Sequence, residues 1–144
     1  MKKVERSVAV AIERAHAALL RDLRALEAAG RSDVKNEVNA LRARLDKTRA
    51  HVVDHFRFEE DSGYMDSVRK CEPRLERAVE QLAADHRALL GSLDALIEEV
   101  QMAPSLDSTL GAKVTAWIKD IQQHEARENR LVQEAFSLDI GAED

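Results

Sequence analysis

Apolar residues recur at intervals of three and four over long stretches of this chain, with breaks at only three points, and this pattern restricts it to helices more strongly than any other feature. The first stretch, about Lys3 to Ala29, carries Val8, Ile12, Leu19, Leu23 and Leu26 on one face and stops at Gly30, after which Ser32 or Asp33 can cap the second. The second runs through Leu41, Leu45, Val52 and Phe56 towards Val68, with Ser62-Gly63 as a kink or an early end. The third opens at Pro73, a favourable first-turn residue, and passes Leu75, Val79, Leu82, Leu89, Leu93 and Leu96 to reach Val100, with Gly91 its one soft spot. After Ala103-Pro104-Ser105 the fourth runs through Leu110, Val114, Trp117, Ile121 and Leu131 to Phe136. Short connections return each helix alongside its predecessor, so the expected fold is all-α, an antiparallel up-down-up-down four-helix bundle. It is expected to occupy one domain, residues 1–140, with a short acidic tail at 141–144. Scarce strand-forming residues leave no β-sheet to expect, and 44% apolar with 34% charged residues over 144 positions suits a soluble globular domain.

Charge narrows the partners. A formal net charge of -5 with interspersed signs gives no basic stripe for nucleic acid and no polybasic patch for a membrane surface, which leaves small molecules or proteins. The apolar run VAVAI near the start is too short for a signal core or a membrane span, so a cytoplasmic location is expected, for a monomer or weak oligomer. Cys71 is the sole cysteine, which precludes an intrachain disulfide, fits a reduced compartment and reads as an ordinary partly buried thiol.

The histidines carry the chemistry. His16 lies in line with Ile12, Leu19 and Leu23, His86 with Leu82, Leu89 and Leu93, and His124 with Trp117, Ile121 and Leu131, so all three face inward. In HFRFEE at 55–60 His55 is followed four residues on by Glu59, and in HEARE His124 is followed likewise by Glu128, a spacing that puts each pair on one helix face. In an antiparallel hairpin, residues at equal height straddle the turn at their midpoint. For His86 and His124 the midpoint is Ser105, and for the 55/59 pair and His86 it is about residue 71 or 72, beside Pro73. For His16 and His55 it is about 35, a few residues past Gly30, which implies a longer first helix or a longer connection. Six side chains from four helices thus converge on one layer.

A lone inward histidine is usually a hydrogen-bonded core residue, and HxxxE on a surface helix is usually a solvated pair. The set resists that account, because four imidazoles and two carboxylates buried together are costly without a cation. Two carboxylates from opposite helices can bridge two metals, each completed by two imidazoles, and this donor mixture suits iron or manganese. A single zinc would leave half the donors unused.

His16, then HFRFEE with His55 and Glu59, then DHRALL with His86, then HEARE with His124 and Glu128, together resemble the hemerythrin-like, or HHE cation-binding, domains over nearly the whole chain. The resemblance implies two non-haem iron ions (Fe2+/Fe3+), oxo- or hydroxo-bridged. His16 and His55 would serve one, His86 and His124 the other, with Glu59 and Glu128 bridging. It implies a protein that binds dioxygen, peroxide or nitric oxide in oxygen or redox handling or sensing. A peroxide-disproportionating or scavenging enzyme is the first alternative and an iron-stabilised sensor or interaction module the second. The oxygen carriers of the family have a second histidine on the third helix, where this chain has Leu82 and Leu90 at the matching spacing, and they place aspartate where Asn129 stands. This is the pattern of the wider bacterial group and of the iron-sensing hemerythrin-like domain of a ubiquitin-ligase subunit. Ferritin-like proteins would show ExxH on two helices, and only Glu13 to His16 fits that spacing.

His51, one turn before His55, is expected at the rim, with replacement of the missing ligand as its alternative. Tyr64 is expected to pack on the core, or to ligate or hydrogen-bond the centre if the helix bends at Gly63. Glu60 is expected to face solvent or a loop, Glu13 to hold the imidazole of His16 or nothing, and Trp117 and Phe58 to pack in the core and at its rim.

Overall fold

Each break in the apolar period ends a helix. The computed structural model describes residues 3–31 and 37–137, with the side chains of 3–6, 8 and 137 left aside. The expected caps Ser32 and Asp33, the side chain of Val8 and the acidic tail therefore lie outside the described residues. Helix α1 spans Lys3–Gly30 and α2 spans Glu37–Asp61. The stretch running towards Val68 ends early at Ser62-Gly63, one of the two outcomes expected there, because Gly63 takes φ 84, a left-handed conformation open to glycine at little cost, and turns the chain into α3, Tyr64–Cys71. A 3-10 turn at Pro73–Leu75, with proline at its start, leads into α4, Glu76–Met102. Gly91 lies within α4 without interrupting it. Asp107 caps α5, Ser108–Val132, its carboxylate accepting the Leu110 amide at 2.8 Å. The chain then widens into a π turn, Gln133–Ser137.

Among the described residues the chain is all-helical, and no helix is long and apolar enough to cross a membrane. Helix α1 packs against α2 and α5, and α4 packs against the same two. The core is divided into two apolar clusters. One includes Leu19, Leu23, Leu45, Val52, Phe56, Leu93, Trp117 and Ile121; the other includes Ile12, Tyr64, Val68, Val79, Leu82, Leu131 and Phe136. On α1 the boundary between them falls at His16, on α2 past Phe56, on α4 at His86, and on α5 at His124 to Glu128. One polar layer is thus enclosed between two aliphatic ones. The expected midpoint of 35 falls between the end of α1 and the start of α2.

Candidate metal centre

Helical spacing delivers the donors of the polar layer and the aliphatic clusters dry it. The side chains of His55, Glu59, His86, His124 and Glu128 are no more than 2% exposed. Their atoms, with those of His16 and Glu125, form two groups. One holds His16, His55, Glu59, Glu125 and Glu128; the other holds Glu59, His86, His124 and Glu128. All six residues expected from the sequence are brought together.

Glu59 and Glu128 belong to both groups because their oxygens diverge. Glu59 Oε2 lies 3.0 Å from His16 Nε2 and 3.4 Å from His55 Nε2, while its Oε1 lies 3.3 Å from His86 Nε2. Glu128 Oε1 lies 2.5 Å from His16 Nε2, while its Oε2 lies 3.8 Å from His86 Nε2 and 3.7 Å from His124 Nε2. Each carboxylate therefore offers one oxygen to each side.

Whether these residues fit a cation is decided by their unsatisfied atoms. Glu59 Oε1, His86 Nε2, His124 Nε2 and Glu128 Oε2, the atoms just named for the second group, are all buried and make no hydrogen bond. Orphaned buried polar atoms are rare and costly, so four converging on one point call for an occupant. With metal–donor bonds of about 2.0–2.1 Å, a tetrahedral shell has edges of about 3.3 Å, comparable with the spacings here. In the first group three carboxylate oxygens crowd His16 Nε2, those of Glu59, Glu125 at 2.7 Å and Glu128. One N–H can serve only one of them. Both positions fit a cation with nitrogen and carboxylate donors.

The far ring nitrogens are held as metal-binding imidazoles require. His16 Nδ1 donates to Asn129 Oδ1 at 2.6 Å, His86 Nδ1 to Glu60 at 3.3 Å and His124 Nδ1 to Asp85 at 3.2 Å, which leaves each Nε2 a free lone pair for the centre. Phe56 stacks on His86 with ring centroids 3.9 Å apart and planes 7° from parallel, fixing that ring's tilt.

Without a cation the imidazoles take up protons instead, held there by the neighbouring carboxylates. Burial opposes charge on His16, but Glu125, Glu128 and Glu59 outweigh it and push the imidazole up to about 12. His55 rises to about 9 against the same burial, through Glu125 and Glu59, and His86 to about 10 through Glu128 and Glu59. His124 is lowered, by burial and by the neighbouring His86. Burial and the adjacent Glu59 raise Glu128 to about 7, whereas hydrogen bonds hold Glu59 well below the usual carboxylate range despite its burial.

The remaining residues fall partly as expected and partly not. Glu125 was not foreseen: one position after His124 it leaves the HxxxE face, and its only sequence signal is Glu128 three residues on. Asn129 holds the His16 imidazole, and of the two places expected for Glu13 the structure has the one away from that ring, exposed on a cavity wall. Glu60 is partly exposed, as expected, yet also orients His86. His51 belongs to neither group; its Nδ1 lies 2.9 Å from Asp22 Oδ2, and Thr48 and Arg44 bind the same aspartate. Tyr64 is fully buried beneath the centre, its hydroxyl without a hydrogen-bond partner, and burial and the nearby Glu128, Glu59 and Glu125 hold its phenol protonated. Trp117 packs in the core and donates to the Leu89 carbonyl at 3.1 Å, and Phe58 packs at the edge of the Tyr64 cluster.

A family model described as the Hemerythrin HHE cation binding domain matches residues 8–136. No curated protein and no solved structure gives a significant match.

Proposed function

Since this chain belongs to the hemerythrin family, matched over nearly its whole length by the HHE cation-binding domain, we propose that it is a non-haem di-iron protein that binds dioxygen, peroxide or nitric oxide. The divergence of the Glu59 and Glu128 oxygens between two groups of imidazole nitrogens carries this proposal. His16, His55 and Glu125 would complete one position, His86 and His124 the other. When bound, two iron ions supply reversible one-electron chemistry and open positions for a small ligand.

The chain's own residues supply the rest. Asn129, Glu60 and Asp85 fix the imidazoles, Phe56 holds one ring, and the aliphatic clusters exclude bulk water. The proposal includes an antiparallel up-down-up-down order for the four long helices. Supporting it, the contacts between α1 and α5 run from His16 with Asn129 to Gly30 with Val114, one partner advancing as the other retreats. Those between α2 and α4 run likewise, from Arg42 with the Val100 carbonyl through Arg49 with Asp94 to Phe56 with His86. A single domain, a cytoplasmic location and a small diatomic or peroxide partner belong to the same proposal.

A second reading, peroxide disproportionation, is favoured by the donor count: the His86 position has four protein donors, which leaves room for an exogenous oxygen ligand. Metal analysis of protein from iron-replete cells, with an absorption spectrum, tests the common premise. Two irons per chain are expected, and fewer than about one, without near-ultraviolet oxo-to-iron bands, would overturn it. Added hydrogen peroxide then separates the classes. Rapid oxygen evolution supports the enzyme, a colour that disappears on deoxygenation supports the oxygen binder, and neither supports an iron-stabilised sensor.

A further inference from the structure

The buried donors are not equally enclosed. His16 and Glu125 are 9% and 12% exposed in their side chains, and both line a cavity of about 350 Å³ between α1 and α5. Two cavities between α4 and α5 are lined by residues such as Leu82, Leu131 and Asp85 but by none of the seven donors. The α1–α5 seam opens because small residues meet there. Ala17 follows His16, Ala126 precedes Asn129 by three, and the His16–Asn129 hydrogen bond puts the two alanines at nearly one level, both exposed and both on the cavity wall.

We infer that this cavity is the port through which a divalent cation reaches the centre, with Glu125 the donor that meets it first. The inference rests on the metal-binding function proposed above. Six waters at about 30 Å³ each need about 180 Å³, so a hydrated cation fits the cavity with its shell intact. Glu13 on the wall and Glu125 at the floor outnumber the one cationic group of the lining, His16, so the port stays net negative among largely aliphatic neighbours and favours a cation over an anion. Glu125 Oε2 is buried and accepts no hydrogen bond of good geometry, although His16 Nε2 is near it, so it can replace a departing water. Glu125 also faces both His16 and His55, the nitrogens next inward.

Cobalt(II) absorption on metal-free protein gives a readout independent of any turnover. Ala126→Trp fills the port from an exposed position and should slow cobalt uptake, and its release to a chelator, about tenfold or more. Its final stoichiometry and spectrum should be unchanged, since no donor is altered. Ala17→Trp closes the seam from the other helix and should act alike, which keeps the test valid if one variant folds poorly. Ala88→Trp, in a cavity between α4 and α5, should leave both rates unchanged. Glu125→Gln should slow uptake. Unaltered kinetics in both seam variants, or equal slowing by Ala88→Trp, would overturn the port while leaving the metal centre standing. Failure of the unsubstituted chain to take up cobalt or iron would instead overturn the metal centre and the port with it.

Discussion

Glu59 sits at 0% exposure between His16, His55 and His86, with an oxygen turned to each side. Its replacement by alanine should remove most bound iron, because two cations would then repel across an unbridged gap, and Glu128→Ala should do the same. His51→Ala should lose far less, since its imidazole is engaged by Asp22; equal loss would make His51 a ligand. Asp85→Asn and Asn129→Ala, which disturb the far nitrogens of His124 and His16 without removing any donor of the two groups, should weaken metal binding about 10–100-fold in a chelator competition. The clustering of the histidine–glutamate pairs was legible in the sequence because HxxxE fixes two side chains on one helix face. Glu125 was not, because its approach depends on how α5 is rotated against α1. The role of Asn129 was hidden likewise: the hydrogen bond it accepts crosses from α1 to α5, and no spacing within one helix encodes it.

At the scale of the elements, the glycines separate close packing from mere tolerance. A Cβ at Gly111 would lie 2.8 Å from the Gly30 carbonyl oxygen, where α1 ends against the start of α5. Gly111→Ala must therefore push two backbones apart and should cost about 1–3 kcal/mol in denaturant unfolding. A Cβ at Gly91 would meet nothing within 4 Å, and Gly91→Ala should stabilise α4 by about 0.5–1 kcal/mol. Helix existence was legible from the apolar period, and the break after Asp61 from Ser62-Gly63. The π turn at Gln133–Ser137 was not, because Leu131, Ala135 and Phe136 are buried whichever hydrogen-bond ladder the backbone chooses.

For the whole molecule, a centre built from α1, α2, α4 and α5 should couple folding to metal. Binding to the folded state alone stabilises by about 4 kcal/mol when free metal is a thousandfold above Kd, so a chelator should lower the melting temperature by about ten degrees. The pH dependence should differ between the two forms. In the metal-free chain His16, His55 and His86 are raised, so their contribution is complete below the ordinary 6.5 and is lost as pH rises through about 9, 10 and 12. Metal-free protein should therefore melt lower in mild alkali. The loaded form should instead weaken in acid, as protons displace the cation, and loading at neutral pH should release protons detectable by calorimetry in buffers of different ionisation heat. The central claim is that two cations share Glu59 and Glu128, and X-ray absorption at the iron edge on the loaded chain tests it most directly. Two irons per chain with an iron–iron vector no longer than about 3.5–4 Å, lost in Glu59→Ala, is the predicted result, whereas a full complement of iron without that vector would contradict it.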